Sequence, residues 1–361
     1  MSGVLHVITG LGVGGAETML SQVAADLQNK GLPQHVVCLR ASGPIADDLI
    51  KKHVPVTALN ATSIFGAATC ALKLTQLVNQ LKPEVIQGWM YHGNLAAALA
   101  HRMSRGHAHR KLYWNVRASV MDADRYGRII GSNAWLSRWP DLIVCNSQAG
   151  MDYHIKCGFS PYAKRVIPNG FNIEKFKPDP VARQEVRANL GIAPDAVVAL
   201  LAARVDIMKD HPNFLEAIHG IPDVQGLLAG QDTEKLTLPP NVMALGLQRD
   251  ISRLCAAADI TICSSAFGEG FSNSLAEGMS AGLVPVATNV GDAAKIVADT
   301  GCIVAPRDPQ ALSDAIKSEA SRPLLERRAR GLRARQRIVE NFSLDRIVRI
   351  YGEIYGHEDE N

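Results

Sequence analysis

A chain of 361 residues with 47% hydrophobic and 20% charged side chains is long enough for about two domains, each with its own core, and is not disordered. No apolar run approaches the roughly 18 residues that cross a bilayer, and no basic segment precedes a hydrophobic core at the N-terminus, so a soluble, cytoplasmic chain is expected. The seven cysteines (Cys38, Cys70, Cys145, Cys157, Cys255, Cys263 and Cys302) are odd in number and never spaced as CxxC. They read as small buried side chains in a reducing compartment, not as a disulfide framework or zinc site.

The net charge of +3 conceals an asymmetry: residues 1–172 hold 17 Lys/Arg against 9 Asp/Glu, and the remainder 21 against 26. Most of the excess lies between His101 and Trp139, with Trp114, Trp135 and Trp139 interleaved. Such a half suits a phosphorylated substrate or an anionic membrane surface. Nucleic acid is disfavoured, because no RNA-binding or helix-turn-helix signature accompanies the charge.

In chain order, apolar or β-branched runs at 4–9, 36–39, 54–59, 85–87, 112–116, 142–145 and 164–167 alternate with longer stretches of helical spacing, such as 16–29. The rhythm pauses at Ile167-Pro168-Asn169-Gly170-Phe171-Asn172, followed by Pro178 and Pro180, a linker signal. It restarts with strands at 197–201, 224–228, 242–245, 260–263, 284–287 and 302–304, and ends in helices at 324–340 and 344–355. The reading is α/β: two tandem Rossmann-like, doubly wound domains, 1–170 and 171–341, with 342–361 packing back on the first. Ligands of such sheets bind outside the carboxyl ends of the strands, which places the deepest site in a cleft between the domains.

Gly10-Leu11-Gly12-Val13-Gly14-Gly15 follows the first strand and opens a helix, a context in which backbone N–H groups approach a phosphate. The acidic residue of a dinucleotide fingerprint is missing, since the second strand ends at Leu39-Arg40; NADP binding through Arg40 and a purely structural turn stay open as alternatives. A sharper signal is the segment from Gly268 to Gly278. Glu269 lies in a loop after a strand, Glu277 follows eight residues later on a helix beginning near Ser272, and Gly270 allows close backbone approach. Two carboxylates that accept hydroxyl donors, next to free helix N–H groups, suit a sugar nucleotide. A dipole partner and a solvated surface charge are the bland alternative.

Here the sequence resembles the retaining glycosyltransferases of family four, which have the two-domain GT-B fold and an E-x7-E signature. The resemblance spans nearly the whole chain, through Gly14-Gly15-Ala16-Glu17, Val166 to Phe171, Ala203-Arg204 with Lys209, Glu269-Gly270-Phe271, Ala276 to Gly282, Thr288 to Asp292 and Ala305 to Pro309. It implies transfer of a sugar from a nucleoside diphosphate to a hydroxyl of a glycan or lipid-linked acceptor, as in bacterial surface polysaccharide synthesis. Glu277 would accept the ribose hydroxyls and Glu269 would contact the donor sugar. Arg204 and Lys209 would hold the diphosphate, and Gly14, Gly15 and the Gly270, Phe271, Ser272, Asn273 and Ser274 backbone would cradle the donor. No metal or separate cofactor is expected, and Asp122-Ala123-Asp124 reads as a decoy for a metal-binding DxD. One departure is that family members often carry a histidine where this chain reads Trp114-Asn115-Val116-Arg117; Asn115 or Arg117 would substitute there. His92 is a further candidate on the acceptor side. A nucleotide-sugar epimerase and a noncatalytic nucleotide-sugar-binding relative are the competing readings. The basic, Trp-containing cluster of Arg102, Arg105, Arg110, Lys111, Arg125, Arg128 and Arg138 with Tyr126, Ile129, Ile130, Trp135 and Trp139 suggests peripheral docking on an anionic inner membrane face.

Overall fold

The computed structural model of the protein describes residues 3–12, 14–61, 64–120 and 123–357. The chain falls into two compact units, one of Met1–Gly170 with Asp345–Asn361 and one of Phe171–Leu344. The second unit thus keeps the whole of its last long helix and runs to Leu344, slightly past the expected boundary at 341.

Unit 1 is built on seven parallel strands: β1 (Val4–Ile8), β2 (Gln34–Cys38), β3 (Val56–Ala58), β4 (Val85–Trp89), β5 (Lys111–Val116), β6 (Leu142–Cys145) and β7 (Lys164–Val166). Their order in the sheet is β3-β2-β1-β4-β5-β6-β7. The crossovers are α1 (Gly15–Asn29), α2 (Pro44–Lys51), α3 (Ile64–Leu81), α4 (Met90–Met103), α5 (Ala123–Leu136) and α6 (Gln148–Lys156). Every residue of β1 and β4 is buried, as expected of central parallel strands covered on both faces.

Burial on both faces forces the polar residues of these strands to find partners. His6 is fully buried on β1. Its Nδ1 accepts from the Trp89 indole, so Nε2 carries the proton and donates to Gln34 Oε1 at 2.8 Å. Burial pushes its imidazole down to about 4, so it is neutral at physiological pH.

Unit 2 repeats the plan with α7 (Pro180–Leu190), β8 (Val197–Ala202), α8 (His211–His219), β9 (Val224–Ala229), β10 (Val242–Ala244), α9 (Ile251–Ala257), β11 (Ile260–Cys263), α10 (Asn273–Ser280), β12 (Val284–Thr288), α11 (Ala293–Val297), β13 (Cys302–Val304), α12 (Pro309–Ala320) and α13 (Leu324–Phe342). The sheet order is β10-β9-β8-β11-β12-β13. Each apolar run expected to be a strand forms one. Pro180, grouped with the linker in the sequence reading, instead opens α7, where a proline without an N–H costs nothing; Asp179 caps the same turn through the Ala182 amide.

The basic run on α13 is a set of carbonyl clamps. Arg335 donates to Ser280 O, at the end of α10, and to Phe176 O. Arg337 donates to Ile296 O and Lys295 O near the end of α11, and Arg327 to Ala320 O at the end of α12. A guanidinium at a helix C-terminus satisfies orphan carbonyls and meets the negative end of the dipole.

A final helix, α14 (Leu344–Ile354), returns the chain to unit 1. Tyr351 stacks on Trp89 with centroids 6.2 Å apart, and Tyr355 stacks on Tyr113 at 6.4 Å while its hydroxyl reaches Gln87. Among the described residues the seven cysteines are free thiols, and burial pushes the Cys145 thiol up to about 12, so it is not nucleophilic. No helix of the described residues is long and apolar enough to cross a membrane.

Candidate functional site

In each sheet the strand order reverses beside the first strand of the unit, between β1 and β4 and between β8 and β11. Loops leaving the carboxyl ends of such a pair diverge to opposite faces and leave a crevice for ligands. In unit 2 those loops are 203–210 and 264–272, and they carry Arg204, Lys209 and Glu269.

The two loops are laced together. The Ala266 amide donates to Met208 O at 2.8 Å, and the Ser264 hydroxyl to Lys209 O at 2.7 Å. This brings the Lys209 ammonium onto Glu269 Oε1 as a short ion pair, and Ser265 Oγ donates to the same oxygen at 2.7 Å. Glu269 is buried, so the pair is weakly screened. Arg204 lies mostly exposed on the same loop, 2.8 Å from Asp206. Burial works to raise the Asp206 carboxyl, but the Met208 amide, Arg204 and Lys209 outweigh it and hold the group below its ordinary value. The structure thus joins Arg204, Lys209 and Glu269 in one electrostatic cluster.

A third loop fixes the Glu269 backbone. Gly291 has φ of 61°, and a Cβ there would lie 2.3 Å from Glu269 O; the next amide, of Asp292, donates to Gly270 O at 3.0 Å. Thr288 Oγ1 donates to Ser265 O at 2.7 Å. The Thr288 to Asp292 motif is therefore a mould for the Glu269–Gly270 turn.

Glu277 stands on α10. Gly278 beside it presses the helix onto β11, since a Cβ there would come 2.4 Å from Thr261 Oγ1. Among the described residues no group donates a hydrogen bond to the Glu277 carboxylate. Desolvation pushes it up to about 7, and Lys175 is the cation that acts against this. Between the ordinary value near 4.5 and about 7, the folded unit therefore binds more protons than the unfolded chain, so this group costs stability as pH rises through that window. It is a half-buried carboxylate to which no group among the described residues donates.

The remaining expected donor contacts divide. The Phe271 ring is core, stacked on Phe171 at 5.7 Å and edge-on to Phe342 at 5.3 Å, so only its backbone is left for a ligand. Ser272, at the N-cap of α10, makes no side-chain capping bond; its hydroxyl turns inward to Cys263 Sγ. Asn273 and Ser274 open α10 and are only partly buried. Sequence reasoning missed Ser265 and Lys175. A hydroxyl just past a strand end was the available signal for the first, and no motif marks the second.

In unit 1 the loop after β1 reaches α1 through Gly14 and Gly15. No side chain of the N-cap bonds the helix, and the Glu17 carboxylate folds back so closely that a Cβ at Gly14 would lie 2.3 Å from it. The protein's own anion thus meets the positive end of α1. His92 is exposed in the first turn of α4, behind a left-handed Met90 (φ 60°) and a Gly93 whose Cβ would strike Val7 O. Desolvation and the Arg40 guanidinium hold its imidazole below the ordinary value.

Of the two residues expected to substitute for the family histidine, Asn115 is fully buried and its amide donates to the Tyr351 hydroxyl at 2.8 Å. Arg117 is half-buried: Nη1 donates to Tyr351 Oη at 2.9 Å, Nε to Asn169 Oδ1 at 3.1 Å, and the guanidinium lies over the Trp89 ring. It pins the Pro168-Asn169-Gly170 turn and α14 to β5. Asp122 lies outside the described residues, as does the Asp124 side chain, and among the described residues no three His, Cys, Asp or Glu cluster as metal ligands.

Residues 13–175 match the family model for Glycosyltransferase Family 4, and residues 196–320 that for Glycosyl transferases group 1. The chain belongs to the family 4 type of glycosyltransferases. It is similar to the D-inositol 3-phosphate glycosyltransferase of Streptomyces avermitilis, with 24% identity over 74% of this chain and 62% of that protein. It is also similar to EpsF of Bacillus subtilis, with 24% identity over 78% of this chain and 77% of that protein. The crystal structure of Anabaena HepE in complex with UDP-glucose matches with a TM-score of 0.83 and 22% identity, over 99% of this chain and 100% of that one. The chain spans 62%, 51% and 66% of the length of three inositol-phosphate glycosyltransferases that it matches. Two parallel-sheet α/β units of this kind form the GT-B fold.

The Gly291 mould generates a direct test. Gly291→Ala combines a left-handed backbone with a clash against the Glu269 carbonyl, and is expected to destabilise the protein by about 1–3 kcal/mol. Gly12→Ala, where an added Cβ meets nothing within 4 Å, should leave the melting temperature nearly unchanged. Thermal unfolding followed by circular dichroism checks both; equal melting temperatures for the two variants would contradict the mould.

Proposed function

We propose that this chain transfers a sugar from a nucleoside-diphosphate sugar to a hydroxyl of a glycan or lipid-linked acceptor, with retention at the anomeric carbon, in surface polysaccharide assembly in the cytoplasm. The observation that carries the reading is the contrast between two carboxylates of unit 2. Glu277 is desolvated and has no donor among the described residues, while Glu269 is held in an ion pair with Lys209. An unpartnered, desolvated carboxylate gains most from a vicinal diol that donates two hydrogen bonds, as a ribose does.

Lys209 and Arg204, at the strand end, supply fixed positive charge where a nucleoside diphosphate departs, so leaving-group charge is met by side chains already in place. Amides of residues 270–274 complete the phosphate cradle of unit 2. Glu269 accepts from donor-sugar hydroxyls and positions the ring. Lys209 and Ser265 already engage Oε1, which keeps Glu269 aimed. A carboxylate so committed is a poor nucleophile, which favours attack by the acceptor from the leaving-group side with the β-phosphate taking its proton. Acceptor recognition falls to unit 1, where His92 and Arg40 offer an imidazole and a cation. The match to D-inositol 3-phosphate glycosyltransferases is compatible with an acceptor that carries negative charge.

Glu277→Ala is expected to weaken nucleoside-diphosphate binding by about 10- to 100-fold, because it removes contacts common to ground and transition states. Glu269→Ala should mainly lower kcat. Calorimetry and initial rates separate the two, and equal effects on affinity and turnover from both variants would contradict the division. Formation of an epimerised nucleotide sugar without acceptor would favour an epimerase; nucleotide binding without turnover would favour a noncatalytic relative.

A specific observation also favours membrane docking by unit 1. Trp135 is 81% exposed and Trp139 44%, and Trp139 lines a cavity with His101 and Arg102. Other members of the cluster turn inward. Ile130 is buried and Tyr126 and Ile129 pack on the core, while Arg110 is buried with its guanidinium on Pro83 O and Ser104 Oγ. The Arg125 side chain lies outside the described residues. Arg128, exposed on α5, and Arg102, Arg105, Lys111 and Arg138 remain as surface cations. Such cations contribute about 1 kcal/mol each near an anionic surface. Co-sedimentation with phosphatidylglycerol vesicles, weakened by salt, by Trp135→Ser and by Arg128→Glu, is the expected result; wild-type protein left in the supernatant at low salt would remove docking.

A further inference from the structure

The loop after β8 carries a carboxylate among its cations. Asp206 lies between Arg204 and Lys209 in the chain, and its Oδ2 accepts from Arg204 Nη2 at 2.8 Å. Its other oxygen, Oδ1, accepts the Met208 amide at 3.0 Å, the bond of an Asx turn, and the Lys209 amide donates to Asp206 O at 3.0 Å. The loop that bears this turn is itself fixed. The Ala203 amide donates to Ala229 O at 2.8 Å and the Val205 amide to Gln231 O at 2.9 Å, while Gly230 approaches so closely that a Cβ there would lie 2.1 Å from Ala203 O. Asp206 is therefore held inside the cluster.

The two partners differ in freedom. The Arg204 side chain is 61% exposed and paired through a single nitrogen, whereas that of Asp206 is 24% exposed and tied at both oxygens. An ion pair with so exposed a partner contributes little to stability, so its place in the loop calls for another reason. Burial works to raise the Asp206 carboxyl, but the Met208 amide, Arg204 and Lys209 hold it below its ordinary value, so it is charged at neutral pH. With Arg204 on Asp206 and Lys209 on Glu269, each cation proposed to receive a diphosphate already faces a carboxylate of the same unit.

We infer that Asp206 is a resident counter-ion for Arg204, a positioning residue that parks the guanidinium and so limits how tightly unit 2 holds a nucleoside diphosphate. The ligand must either draw Arg204 away from Asp206 or share it beside a fixed negative charge, and both lower its affinity. When the diphosphate leaves, the guanidinium has a partner to return to. The inference rests on the proposed donor-site role of Arg204 and adds a residue which that reading does not use.

Asp206→Asn isolates the charge, because the amide oxygen still accepts from Met208 and the Asx turn survives. Calorimetry on the full chain uses whichever of UDP, GDP and ADP binds the wild type most tightly. Asp206→Asn is expected to tighten that binding by about three- to tenfold. Asp206→Ser, which also keeps an acceptor for the Met208 amide, should tighten it too. A residue that merely built the loop would weaken binding when replaced. In the Arg204→Gln background the gain from Asp206→Asn should largely disappear, since no guanidinium is left to free. Unchanged or weaker binding in both Asp206 variants, or a gain of equal size in the Arg204→Gln background, would overturn the inference while leaving the donor site in place. Absence of binding of all three nucleotides to the wild type would remove the donor-site reading, and the inference with it.

Discussion

The ion pair between Lys209 and Glu269 sits where the second sheet reverses its strand order, and the surrounding loops are built to keep it there. A buried pair is held only if its geometry is over-determined, because desolvation offsets much of the Coulomb attraction. Ser264, Ser265, Thr288 and the Asp292 amide supply that constraint, tying the loops after β8, β11 and β12 to one another. Within a few residues the same scaffold places Glu277 on α10 with no donor among the described residues. One carboxylate is held in place by its neighbours, and the other is left to be charged by what binds.

The arginines of unit 2 show a second use of fixed charge. Arg183, Arg187, Arg327, Arg335 and Arg337 close the carbonyl ends of α9, α10, α11 and α12, adding to the backbone caps of these helices.

Much of the fold was legible because parallel strands buried on both faces must be apolar, so runs such as those that became β1, β8 and β11 could not be mistaken for surface. The glycines were legible in position but not in purpose. Gly278 and Gly291 turn out to admit close helix and turn backbones, and no ligand contact is needed to explain them. Tertiary partners were not legible. Asn115 and Arg117 read as sugar-side candidates from their strand-end position, but α14, more than 200 residues away in sequence, brings Tyr351 onto both. Likewise Arg110 and Ile130 fell inside a basic, aromatic segment yet turn inward, Arg110 just before β5 onto Pro83 O and Ser104 Oγ and Ile130 on the buried face of α5, and the composition of a segment does not say which of its residues do so.

The account rests on Glu277 as an acceptor waiting for hydroxyl donors, and proton release on ligand binding measures that most directly. Calorimetric titration of UDP into the protein at about pH 6.5, in buffers of differing ionisation enthalpy, counts the protons given up as the bound diol stabilises the carboxylate. Wild-type protein is predicted to release more protons than Glu277→Gln, with the difference fading above about pH 8 where the free carboxyl is already ionised. Equal proton release by the two proteins across this range would contradict the assignment of Glu277 to the nucleotide.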